Sequence, residues 1–287
     1  MLAKIGHLIG RLMRLLPNVI KVQTSHISAN FHVPLFNHYV SKDIDELSHG
    51  RREPRLYSWI EGIADGSVLF DVGTNYGQES IWASCQHHKT IHTIGFDCGL
   101  LASHFCALNR ELNGRTFDFV FAAVGNSPGE MVTITANSDT HIPRLHKKNV
   151  PYSYQVPCIS LDRFAAANGL SPTHLKIDVD GAEAAVIAGA KGLLSGDVLR
   201  EIFIEIDHVN HNLAEQIIDY GFVIADIVAG DDAAFTLRRY SRGRPGAIRD
   251  NEETDRLTIR RRNQAPERPV PWRHLEPVRP DCLTLQA

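Results

Sequence analysis

The chain has 287 residues, of which 43% are apolar and 22% charged, enough for one sizeable core with length left for an appendage. Five cysteines (Cys85, Cys98, Cys106, Cys158, Cys282) form no C-x-x-C pair, and their odd number points to free thiols in a reducing, cytoplasmic setting. No apolar stretch approaches the roughly 18 residues that imply a membrane span, and the net charge of −3 divides into +5 over residues 1–42, −13 over 43–237 and +5 over 238–287, an acidic centre that disfavours nucleic acid.

In chain order, Leu2, Ile5, Leu8, Ile9, Leu12, Leu15 and Leu16 recur at helical spacing, with Lys4, Arg11 and Arg14 between them. This predicts an amphipathic helix that stops near Pro17, suited to a membrane surface, a presequence or packing on the domain. Residues 1–65 therefore read as a helical cap segment. Next, "VLFDV" predicts a strand, and the helix from Gln78 ends near Cys85. "TIHTIGFD" is a second strand, "LLASHFCALNREL" a helix stopped by Asn113-Gly114, and "FDFVFAAVG" a third strand. "GEMVTITA" and "YSYQVPCIS" are added extended segments, followed by a helix at "LDRFAAANG", a fourth strand at "THLKIDVDG" and a helix at "AEAAVIAGAKGLL". "EIFIEID" is a fifth strand, "NLAEQIIDYG" a helix, and "FVIADIV" with "AFTLRRY" a closing hairpin. The alternation predicts an α/β domain over 66–240, a doubly wound, mostly parallel sheet with an antiparallel strand near its end. The tail, 241–287, holds six of the fourteen prolines and reads as largely disordered.

Strand ends carry the chemistry of such sheets. Between the first strand and its helix stands "DVGTNYGQ", with glycines four apart, an opening that suits a ligand against the main chain. It fits neither G-x-G-x-x-G nor G-x-x-x-x-G-K-[ST], and the acid Asp71 suits an ammonium or sulfonium better than a pyrophosphate. The second strand ends on Asp97, twenty residues past Gly77, a distance that suits an acid receiving ribose hydroxyls. Asp178, Asp180 and Glu183 mark the fourth strand, and Glu205, Asp207 and His208 the fifth. Cys85, His87, His88 and His92 have the types of a metal cluster but lie in a loop away from those ends, as surface histidines do.

The blocks "FDVGTNYGQ", "NRELNG", "AAVGNSPGE", "ISLDRF" and "LKIDVDGAEAAVIAGAKGLL" together resemble the FkbM family of S-adenosylmethionine-dependent methyltransferases over about residues 66 to 237. Thr74 stands where the family has Ala, Asp97-Cys98 where it has Glu-Pro, and Asp180 where it has Glu. The resemblance implies the seven-stranded, Rossmann-like class I methyltransferase sheet, with S-adenosyl-L-methionine as methyl donor. It implies that Asp71, Gly73 and Gly77 shape the methionine end and that Asn75, Tyr76 and Gln78 line it. Asp97 would then hold the ribose, and Ala122, Ala123 and Val124 would face the adenine.

The implied acceptor is a hydroxyl on a sugar or secondary metabolite, which needs alignment and a base. Asp178 leads the base candidates, with His208 and Glu205 behind it and Lys176 on the same strand face. Asp178, Asp180 and Asp207 are also the types that would ligate Mg²⁺. Two other functions compete: a non-catalytic module that binds the donor or a nucleoside, and a nucleic-acid methyltransferase using the basic flanks. The latter is disfavoured by the acidic centre and by the lack of an Asn-Pro-Pro-Tyr or Asp-Pro-Pro-Tyr block.

Overall fold

The computed structural model describes residues 19–33, 38–136, 152–207, 212–229, 235–242 and 275–277. The expected helix at 1–16 lies outside them. The chain begins with strands β1 (Val19–Gln23) and β2 (Ser28–His32) and helices α1 (His38–Ser48) and α2 (Pro54–Gly62). It continues through β3 (Val68–Val72), α3 (Gln78–Ser84), β4 (His92–Asp97), α4 (Leu100–Leu112), β5 (Asp118–Phe121) and β6 (Ala123–Val124). Next come β7 (Met131–Ala136), β8 (Tyr152–Ile159), α5 (Leu161–Asn168), β9 (His174–Ile177), α6 (Glu183–Ala188), α7 (Lys191–Ser195) and β10 (Glu201–Asp207). The last elements are α8 (Leu213–Asp219), β11 (Phe222–Ala229), β12 (Phe235–Arg242) and β13 (Leu275–Pro277).

Seven strands form one sheet in the order β11-β12-β10-β9-β3-β4-β5. From β10 to β5 every pairing is parallel, and β12 runs antiparallel to both of its neighbours. The expected mixed sheet is therefore present, and the antiparallel strand is the last one in chain order within it. β4 and β5 lie on one side of β3, while β9 and β10 lie on the other. That reversal opens a crevice beyond the carboxyl ends of β3, β4 and β9.

Alternation along the strands builds two cores. Phe70, Val72, Leu175, Ile177, Ile202, Ile204 and Ile206 pack on one face with the inner sides of α5, α6 and α8. Leu69 and Phe203 face the other way, into a core shared with Val22, Phe31, Ile44, Leu56, Ile60, Ile81 and Trp82. The same pleat turns Asp71, Lys176 and Glu205 toward this second face, with Asp71 in register with Lys176. A stripe of charge is thereby buried beneath the N-terminal segment.

Three departures from the sequence reading have local causes. Residues 19–32 form an antiparallel hairpin inside the expected helical cap, because Val22, Ala29 and Phe31 alternate into the second core. "FDFVFAAVG" divides at Ala122, whose N–H is taken by the Asp97 carbonyl, so β6 leaves the main sheet to pair with β8. "AEAAVIAGAKGLL" breaks into α6 and α7 at Gly189, where a Cβ would lie 2.1 Å from the Gly125 carbonyl oxygen. Within the tail, Leu275–Pro277 pairs antiparallel with β7.

Candidate active site

The turn from β3 to α3 runs through left-handed backbone at Gly73 (φ 82°), Asn75 (φ 51°) and Gly77 (φ 84°). At Gly73 the demand is steric as well, since an added Cβ would lie 1.7 Å from the Asp178 carbonyl oxygen. The glycine is needed for contact with the end of β9, a role the spacing alone does not suggest. The N–H groups of Gly73 and Thr74 donate to the Phe96 carbonyl at 2.9 and 3.0 Å, which ties the turn to β4. Asp97 completes the tie: one carboxylate oxygen accepts from Asn75 N (2.9 Å) and the other from Gly99 N (2.7 Å). Each oxygen retains accepting capacity beyond those bonds.

Asp71 is fully buried and lines neither of the cavities described below. It supports the turn from beneath, accepting from Thr74 Oγ1 (2.7 Å) and Ser80 Oγ (2.6 Å). The hydroxyl of Thr74, which replaces the alanine of the resembled family, thus helps satisfy a buried carboxylate. Lys176 Nζ lies 3.4 Å from Asp71 and 3.5 Å from Asp178, and donates to the Gly73 carbonyl at 3.0 Å. Burial works against its charge, but Asp71, Asp178 and Glu79 outweigh it and raise Lys176 above the ordinary lysine range.

Beyond β9, Asp180 (φ 53°) and Gly181 (φ 107°) turn the chain, and Glu183 accepts from the N–H groups of Val179 and Gly181. Asp178 stands at the mouth of this loop with its side chain 36% exposed. Glu205 is half-buried, and burial together with Asp178, Asp180 and Glu183 pushes its pKa up to about 9. Near neutrality that carboxyl carries its proton, the wrong state for accepting one. His208 lies outside the described residues, as does the side chain of Asp207.

The N-terminal segment adds four groups that the strand-end reading does not include. Tyr57 donates to Glu79 at 2.8 Å, and Arg52 reaches Asp43 (3.1 Å), Glu53 (3.4 Å) and Glu79 (4.0 Å). Against its complete burial, Lys176 and Arg52 hold Glu79 below the usual carboxylate range. Glu53 sits before Pro54 in left-handed backbone (φ 35°), and burial, with Glu79 and Asp178, pushes its pKa up to about 7 despite Arg52. Glu79 directly follows the quoted turn, as the acid in the first turn of α3. Arg52 and Glu53 are more than a hundred residues from Asp178, and no spacing links them to it.

These groups surround two cavities that share Gly73, Asp97 and Asp180. The larger, about 410 Å³, is mostly apolar, lined by Val72, Phe96, Ala122, Ala123, Val124, Ile134 and the small residues at 181–185. The smaller, about 80 Å³, is lined by Arg52, Asn75, Gln78, Glu79, Lys176 and Asp178. Tyr76 lines neither: it is buried and stacked on Phe105, its carbonyl held by Asn109 Nδ2. Among the described residues no three His, Cys, Asp or Glu side chains gather to hold a metal, so the Mg²⁺ reading finds no support there.

An open α/β sheet with an apolar pocket and a polar one meeting at its reversal point places the chain in the doubly wound, Rossmann-like class. A family model for the methyltransferase FkbM domain matches residues 71–224, more than half of the chain, which therefore belongs to that family. No curated protein matches the chain. Among solved structures, M. capricolum TrmK in complex with S-adenosyl-homocysteine is 11% identical over 68% of this chain and 71% of its own, with a TM-score of 0.42. A ribosomal protein L11 methylase from Lactobacillus delbrueckii subsp. bulgaricus is 14% identical over 68% and 80% (TM-score 0.42). Precorrin-6y C5,15-methyltransferase from Geobacter metallireducens is 12% identical over 67% and 88% (TM-score 0.40). Likeness of this degree says nothing of an acceptor.

Proposed function

We propose that this methyltransferase takes S-adenosyl-L-methionine as donor and methylates a hydroxyl on a small molecule, a sugar or secondary metabolite. The observation that carries the reading is the meeting of the two cavities at Gly73, Asp97 and Asp180, with Asp178 on the wall of the smaller one. The pair suits a ligand with a flat apolar end and a charged end. Ala122, Ala123 and Val124 would receive the adenine in the larger cavity, and Asp97 would accept from the ribose hydroxyls. Asn75, Gln78 and the Gly73 turn would receive the amino-acid end in the smaller one.

When bound, the donor supplies a methyl group on a sulfonium, an electrophile that needs a deprotonated, aligned nucleophile. Asp178 is the proposed base, because its carboxylate is accessible on the wall of the smaller cavity, with Lys176 Nζ 3.5 Å away to hold it in place. Lys176 itself, buried and charged, positions Asp178 and the Gly73 carbonyl rather than moving a proton. Glu205, protonated near neutrality and lining neither cavity, is not assigned the base's part.

Incubating the purified chain with methyl-labelled donor and a panel of hydroxylated sugars and metabolites tests the reading. Label transfer to a hydroxyl is the expected result. Tight donor binding with no transfer across the panel would favour a non-catalytic donor-binding module.

A further inference from the structure

We infer that Arg52, contributed by the N-terminal segment, receives the α-carboxylate of the donor's methionine end. The inference rests on the donor reading above and adds a residue to it.

The methionine end is a zwitterion, with an ammonium and a carboxylate. Acids dominate the smaller cavity and suit the ammonium, but the carboxylate needs a cation or N–H donors. Two cationic side chains line that cavity among its described residues, Lys176 and Arg52. Lys176 Nζ is committed: it is buried between Asp71 and Asp178 and donates to the Gly73 carbonyl. Arg52 is not fully committed. A guanidinium has five N–H groups, and Arg52 turns Nη1 to Asp43 at 3.1 Å and Nη2 to Glu53 at 3.4 Å. Its Nε is buried without a hydrogen-bond partner, and the Glu79 carboxylate stays 4.0 Å from it. A buried, unmatched charged donor is costly and calls for an explanation.

The surroundings explain how Arg52 stays there. Tyr57 holds Glu79 from the other side, so Glu79 does not close onto Nε. Asp43 and Glu53 anchor the far edge of the guanidinium, which fixes its plane before any ligand arrives. Glu53 achieves this from strained, left-handed backbone, and such strain persists where the surroundings over-determine it. The segment bearing these residues is packed onto α3 through Tyr57 and Trp82, so it is part of the cavity wall.

The test is a thermodynamic cycle on the full chain. Calorimetry measures S-adenosylmethionine and its decarboxylated analogue, which keeps the adenosine, sulfonium and ammonium and lacks the carboxylate. Both ligands are measured on wild type and on Arg52→Met, with circular dichroism to check folding. Losing a charge-assisted contact should lower the preference for the carboxylated ligand by about tenfold to a hundredfold in the variant. An equal weakening of both ligands would mean that Arg52 supports the fold only, and overturns the inference. An unchanged preference overturns it as well. Binding of neither ligand by folded wild type would sink the donor reading itself, and this inference with it. Arg52→Gln, which keeps hydrogen-bonding capacity for Asp43 and Glu53, should reproduce the loss of preference if Arg52→Met does not fold.

Discussion

The carbonyl oxygen of Asp178 occupies the space where a side chain on Gly73 would begin, 1.7 Å from an added Cβ. The turn after β3 and the end of β9 are thus fitted main chain to main chain. Gly73→Ala should destabilise by more than about 2 kcal/mol, because backbone must move and the φ of 82° is strained for alanine. Gly66 has a similar φ of 74° but open space around it, so Gly66→Ala should cost only about 1 kcal/mol. Urea unfolding of the two variants separates sterics from backbone preference, and equal costs would refute the fitted contact.

Lys176 and Asp71 form an ion pair buried to within a few per cent. Removing one partner leaves an uncompensated charge, so Lys176→Met should cost about 3–5 kcal/mol. Adding Asp71→Asn, which keeps an acceptor for Thr74 and Ser80, should return most of that loss. A Lys176→Met variant as stable as wild type in denaturant would show that the pair contributes nothing.

Asp178→Asn keeps shape and loses basicity. Donor affinity by calorimetry should survive, while label transfer to an accepted hydroxyl falls by roughly 10²–10⁴-fold. Near wild-type transfer would remove Asp178 as the base and leave His208 to be examined.

His174, buried at the start of β9 against Trp59, responds to acid in a calculable direction. Burial, with Arg200 and Arg239 nearby and Glu201 opposing, pushes its pKa down to about 4. An unfolded histidine titrates near 6.5. Between those values the unfolded chain takes up a proton that the folded chain refuses, so stability is lost as pH falls from 6.5 to 4. Carboxylates contribute their own losses, so the readout is the difference from His174→Gln. The variant should lose less over that window, by on the order of 1–3 kcal/mol. Parallel stability–pH curves would show that His174 does not titrate in this way.

The sheet was legible because its strands are apolar runs closed by glycines and acids, and "VLFDVGTNYGQ" gave both the first strand and the turn. The helix over 100–112 was legible from its Asn-Gly stop. Other features depend on contacts distant in sequence. Nothing near Gly189 announces that the Gly125 carbonyl will stand 2.1 Å from where its Cβ would be. Asp71 has the same strand-end signature as Asp97, yet the pleat turns one beneath the sheet's covering segment and leaves the other on a cavity wall. Arg52 and Glu53 were unreadable as site residues, because only the folding of the N-terminal segment over the sheet brings them to Asp178. Similarly, β12 runs to Arg242, whose guanidinium donates to the carbonyls of Leu194, Gly196, Leu199 and Tyr220, so the folded unit reaches past Tyr240.

The packing of Trp59 on Phe203, ring centroids 5.3 Å apart, sets a waiting time during synthesis. At 5–20 residues per second, Phe203 leaves the ribosome roughly 7–30 s after Trp59. For that interval the apolar faces of α1, α2 and the first hairpin have an incomplete partner. A chain released before β10 should therefore bind a dye specific for exposed apolar surface, and the complete chain should not. Equal dye binding by the two would mean that the early segment shields itself, and that its association with the sheet is a late docking of an already closed unit.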